Sequence, residues 1–120
     1  MRALFCTLFA AALLVAGCTK TKLSDAASSL PGRRVFESNN CTRCHGSDGE
    51  GGMAAPSLRD VSARLSKAQL AEYLRDPDAF ARKDERIGGM AGTYPTRMPG
   101  FPNIAPADLD LLVDYLHALN

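Results

Sequence analysis

The chain contains no tryptophan, and five Phe and three Tyr are its only aromatics in 120 residues. It has little net charge: 14 Lys and Arg stand against 13 Asp and Glu, a formal balance of +1. Without a positive surplus, the broad basic face that nucleic-acid binding requires is excluded. No apolar stretch reaches the roughly 20 residues that a membrane-spanning helix needs. No strand-type alternation and no internal repeat is visible. Histidine is scarce, with two residues, and there are four cysteines. What is present is an ordinary globular composition, 46% hydrophobic and 22% charged, which argues against disorder. A chain this short allows one small domain, whose core is marginal by itself. A covalent staple, a metal or a cofactor is therefore the first thing to look for.

The N-terminus reads as a separate piece. Arg2 precedes an apolar run from Ala3 to Ala16 that only Thr7 interrupts. The run is apolar all round and follows the initiator Met, which fits the apolar region of a secretory signal rather than a buried core helix. It closes on Val15-Ala16-Gly17-Cys18, which resembles the lipobox of bacterial lipoproteins. The resemblance implies lipidation of the Cys18 sulfur, cleavage before it and acylation of the new amino group. Residues 1–17 are then a lipoprotein signal peptide; a plain signal peptide cut nearby is the alternative. Arg2 leaves with the signal, so the charged side chains balance at 13 against 13. Several acyl chains exceed the two-signal threshold for stable anchoring. Thr19 stands where an inner-membrane retention signal has Asp, which leans the expectation towards the outer membrane. Residues 18–30 are short, polar and unpatterned, and read as a lipid-anchored tether with a span of roughly 20 Å.

Processing removes Cys6 and commits Cys18, leaving Cys41 and Cys44 in Cys41-Thr42-Arg43-Cys44-His45. This is the C-x-x-C-H pattern of c-type haem attachment. On a helix, positions i and i+3 share a face and i+4 lies beside them. Two thiols can thus reach the two vinyl groups on one porphyrin edge while His45 turns its ring towards the iron. A disulfide redox pair wants a βαβ context, which is absent from the pattern. A zinc site wants four ligands, and His117 is far from the others in sequence. A plain structural disulfide leaves His45 unexplained.

Around this motif the chain, from about Leu30 to Asn120, resembles the class I cytochrome c family. Gly32-Arg33-Arg34-Val35-Phe36 looks like that family's first helix, whose Gly and aromatic pack against the last helix. Pro56-Ser57-Leu58, with Val61 and Arg64, looks like its Pro-x-Leu-x-x-apolar-x-x-Arg segment. The resemblance implies that the Pro56 carbonyl accepts a hydrogen bond from the free ring nitrogen of His45, fixing the ring and raising its basicity. It also implies that Arg64 sits near a haem propionate; on residue type alone, a solvated helix-end charge is as good a reading. Ala55 stands where the family usually has Gly. The candidates for the sixth iron ligand are Met53, Met90, Met98 and His117. Tyr94-Pro95-Thr96-Arg97-Met98-Pro99-Gly100-Phe101 resembles the family's Met-Pro-x-Phe ligand loop, so the resemblance implies Met98. Met90, in the stretch Gly88 to Gly92, is second. Met53 is too close to His45 in sequence, and His117 lies outside the terminal apolar stripe, where a solvated side chain is expected.

The patterning is helical throughout. Ser66-Lys67-Ala68-Gln69 is a capping box opening a run with Leu70, Tyr73 and Leu74 that Asp76-Pro77 stops. Ala105-Pro106-Ala107-Asp108 opens a last helix with Leu109, Leu112, Val113 and Leu116 at helical spacing. The segment from Pro77 to Arg97 reads as a long connection with a solvated turn of helix over Arg82 to Arg86; a partner-docking lip is the functional alternative.

The expectation is an all-α, small cytochrome c-like helical domain over 31–120, wrapped around one covalently attached haem. It carries single electrons between redox protein partners on the periplasmic face of a bacterial membrane. The haem-binding residues are Cys41, Cys44, His45, Met98, Pro56 and Arg64, with His45 and Met98 axial to the iron. No catalytic side chain, small-molecule substrate or nucleic acid is called for. Arg43 and Arg97 flank the ligands in sequence and suggest a positive docking rim. A cytochrome subunit of a larger membrane redox complex is the alternative, and a haem enzyme or gas sensor with an open iron is a third reading. The single C-x-x-C-H excludes a dihaem peroxidase, and its early position disfavours a four-helix-bundle cytochrome.

Overall fold

Helix boundaries follow the local chemistry of the chain in a computed structural model that describes residues 25–119. The expected signal peptide and residues 18–24 of the tether lie outside the described residues. Eight helices occur among the described residues: α1 (Asp25–Ser28), α2 (Gly32–Ser38), α3 (Thr42–His45), α4 (Val61–Arg64), α5 (Lys67–Arg75), α6 (Pro77–Lys83), α7 (Glu85–Ala91) and α8 (Pro106–His117). No strand is present among them. The Ser66 hydroxyl accepts from the Gln69 amide at 3.2 Å while the Gln69 side chain accepts from the Ser66 amide at 2.9 Å, so α5 opens on a complete capping box. Asp76 closes α5 and starts α6 in one step, because its carboxylate accepts from the Ala79 amide at 2.9 Å and Pro77 fills the first helical position.

The segment expected as a long connection is thus mostly helix. Asp84 caps α7 by accepting from the amides of Arg86 and Ile87, and Phe80 and Ile87 carry α6 and α7 into the core. In the mixed-sign run, Arg82, Lys83, Glu85 and Arg86 are exposed, but it is not one turn of helix: part-buried Asp84 separates α6 from α7, with Lys83 paired to Glu72 and Arg86 to Asp84. Residues 25–30, read with the tether, join the domain instead: Ala27 of α1 is buried and Leu30 packs on the core. Their polar neighbours mask these two apolar side chains in the sequence.

The core forms where α2 and α5 meet α8. Gly32 of α2 lies directly on α8: a Cβ there would meet the Leu111 carbonyl oxygen at 1.9 Å. Removing the side chain lets Phe36, one turn on, reach Tyr115 with ring centroids 5.4 Å apart. The stripe Leu109, Leu112, Val113 and Leu116 is buried as its spacing predicts. Tyr115, outside that stripe, is buried as well: a Cβ on Gly32 would come within 2.7 Å of the Tyr115 Cβ, so the bare glycine lets α2 cover this residue.

Candidate functional site

The helices leave between them a cavity of about 590 Å³. Its walls are core residues, among them Phe36, Leu70, Leu74, Ile87, Leu112 and Leu116. Apolar side chains left facing such a space forgo the contacts that would otherwise bury them. The fold is therefore built around a large apolar guest. Arg43, Arg64 and Arg97 line the cavity and no carboxylate does, so the guest it suits carries negative charge at its edge.

Cys41, Cys44 and His45 open onto this space. Asn40, in the left-handed region at φ 58°, turns the chain into Cys41, the N-cap of α3. One helical turn then sets the two thiols and the imidazole at their expected spacing. Cys44 is exposed; Cys41 is half-buried, and burial pushes its thiol up to about 11. Neither is in a disulfide. No cluster of three His, Cys, Asp or Glu that could hold a metal occurs among the described residues, so the zinc reading lacks its ligands.

His45 is buried, and its Nδ1 lies 2.9 Å from the Pro56 carbonyl oxygen. A carbonyl can only accept, so Nδ1 carries the proton and Nε2 keeps its lone pair. Burial lowers the pKa of the ring against the opposing pull of the Pro56 bond, which favours the neutral, ligating form. The loop that delivers Pro56 is compact. The Gly51 amide donates to the His45 carbonyl at 2.7 Å, and a Cβ on Gly51, itself at φ 74°, would strike the Ser57 amide at 2.3 Å. Ala55 is buried without a positive φ, so alanine serves where the family usually has glycine. Arg64 donates to the Ser57 carbonyl at 3.0 Å, pinning the same segment, and Arg64 is also one of the cavity's lining residues. It is half-buried rather than a solvated helix end.

Both Met98 and Met90 line the cavity and pack on the core. The Met98 loop is held to α5 by the Phe101 amide on the Leu74 carbonyl at 2.8 Å and by Arg75 on the Pro102 carbonyl at 3.0 Å. Met53 is 94% exposed, away from the cavity. His117 does not line it either, and is half-buried with its Nε2 unpartnered rather than solvated. Arg97 is engaged within the chain, its guanidinium 2.7 Å from Asp78, whereas Arg43, the other half of the expected rim, is exposed. Sequence reasoning passed over Ile87 and Ala91 as wall residues. With Met90 they stand at the i, i+3, i+4 spacing of a buried helix face, but the glycines between them masked it.

The profile of the family described as Cytochrome c matches residues 29–120. The "Cytochrome c oxidase subunit 2" of Alkalihalophilus pseudofirmus is 32% identical over 92 residues, covering 73% of this chain and 25% of the relative. A subunit of the nitric oxide reductase of Cereibacter sphaeroides is 36% identical over 69 residues, covering 58% of this chain and 41% of the relative. The chain therefore spans less than half the length of the curated relatives it matches. No solved structure matches it.

Proposed function

Because the chain belongs to the cytochrome c family and binds haem c covalently through Cys41 and Cys44, we propose that it is a monohaem electron carrier serving protein redox partners at a bacterial membrane. The observation that carries this reading is the joint placement of Cys41, Cys44, His45 and Met98 on one cavity walled by the core. When bound, the haem supplies a one-electron iron couple. The protein's share is to hold and shield it. His45, oriented by Pro56, would hold the iron through Nε2, and Met98 would hold it through its thioether. Neutral ligands and apolar walls favour the reduced state and raise the potential. Arg64 offsets the charge of a propionate. No side chain is needed for bond making, so the domain is not itself catalytic.

We further infer a lipid anchor on Cys18, with residues 1–17 as the signal and the domain on the periplasmic side, the outer membrane being favoured. Among the described residues no helix is long and apolar enough to cross a membrane. A second reading, a cytochrome subunit of a larger membrane redox complex, is favoured by the two relatives, both named as subunits. Purification at a fixed ratio with other polypeptides distinguishes it from a free carrier.

The primary test is covalency. Denatured protein is expected to keep one haem with a reduced pyridine spectrum of the two-thioether type, and extraction of that haem into acid acetone would overturn the reading.

A further inference from the structure

A second cavity, of about 310 Å³, lies between α6 and α7, and four of its wall residues, Tyr73, Ala91, Arg97 and Met98, also wall the larger one. The two spaces therefore share a wall to which Met98, the proposed iron ligand, belongs. The smaller space faces solvent where Arg97 and Asp78 pair at 2.7 Å, with side chains 77% and 58% exposed. Both residues line it, so the pair joins the Met98 loop to α6 at this cavity. Arg97 directly precedes Met98, so the pair is the tie closest in sequence to the sulfur, beside the Phe101–Leu74 and Arg75–Pro102 hydrogen bonds that hold the far end of the loop to α5. The inner wall offers Tyr73, Ala81, Ala91 and Met98, while the charges lie at the exposed pair and at Arg82, which is exposed too.

We propose that this smaller cavity is a port by which a small uncharged iron ligand reaches the position held by Met98, and that the Arg97–Asp78 pair is its latch. The proposal rests on Met98 being the axial ligand. In the exchange the iron–sulfur bond to Met98 breaks and a bond from the incoming lone pair forms. No electron moves and no proton is released. The latch sets how often the Met98 loop opens, and the width of the cavity beside Ala81 sets how fast a molecule passes.

The test uses the purified ferric holoprotein, with neutral imidazole as the probe and loss of the thioether charge-transfer band as the readout in stopped flow. An exposed ion pair shifts an opening equilibrium by about twofold to fivefold. Asp78→Asn is therefore expected to raise the association rate and the equilibrium binding by that factor. Added salt is expected to do the same to the wild type and to leave Asp78→Asn unmoved, because exposed pairs are screened. Ala81→Leu narrows the passage and is expected to slow association and dissociation by one common factor, leaving Kd unchanged. Should Ala81→Leu fail to fold, the salt response and Asp78→Asn decide. A normal band with rates indifferent to both substitutions and to salt overturns the port alone. A wild type without the band, or a band that survives Met98→Ala, overturns the axial assignment and the port with it.

Discussion

Met98 and Met90 share one cavity, so burial does not choose between them and spectroscopy must. Met98→Ala is expected to remove the thioether band, lower the reduction potential and open the iron to cyanide or carbon monoxide, whereas Met90→Ala keeps the band. The reverse pattern in ferric spectra of the two variants would exchange their roles. At this scale the attachment residues were legible because covalent chemistry is local: two thiols and an imidazole must lie within one helical turn. The Pro56 carbonyl, eleven positions from His45, was legible only through resemblance, since nothing in a proline's side chain announces that its backbone oxygen will be used. Tyr115 was missed for a different reason. Its place in the core depends on a side chain that Gly32 lacks, and an absence on another helix leaves no mark in the periodicity of α8.

Among the elements, contact between α2 and α8 depends on that bare glycine. Gly32→Ala would press a Cβ onto the Leu111 carbonyl, and the helices must separate at the Phe36–Tyr115 contact. The expected loss is about 3 kcal/mol, at the upper end for overpacking, equivalent to a fall in Tm of roughly 10 °C or more for a domain of this length. The haem should stay attached, since α3 is untouched. A thermal melt of the holoprotein matching the wild type would mean that the two helices do not meet as described. The helices with conventional signals, α5 with its capping box and α8 with Pro106 in its first turn, were legible in outline. The pair α6 and α7 was not. Asp76 and Asp84 are good caps, but each helix has only seven residues, and the glycines at 88 and 89 in α7 lower the local preference for helix. These helices are held by burial of Phe80 and Ile87, a tertiary effect that propensity does not report.

For the whole molecule, the proposed attachment to a membrane would rest on Cys18. Cys18→Ala is expected to abolish incorporation of labelled fatty acid and to block normal lipoprotein processing, leaving protein that is soluble if another peptidase cleaves it and held by its signal otherwise. Label retained by the variant would count against this site. The balance of charge leaves little long-range steering towards a partner, so proximity at a membrane would substitute for affinity. The cavity has a consequence of another kind. Its walls run from Phe36 of α2 to Leu116 of α8, so the environment that sets the iron's electron affinity exists only while these helices are folded together. Oxidation and unfolding thereby become two legs of one thermodynamic cycle. Each 59 mV by which the folded pocket raises the potential is about 1.4 kcal/mol of extra stability for the reduced form. An electron arriving tightens the protein that receives it, and its departure loosens the same core by the same amount.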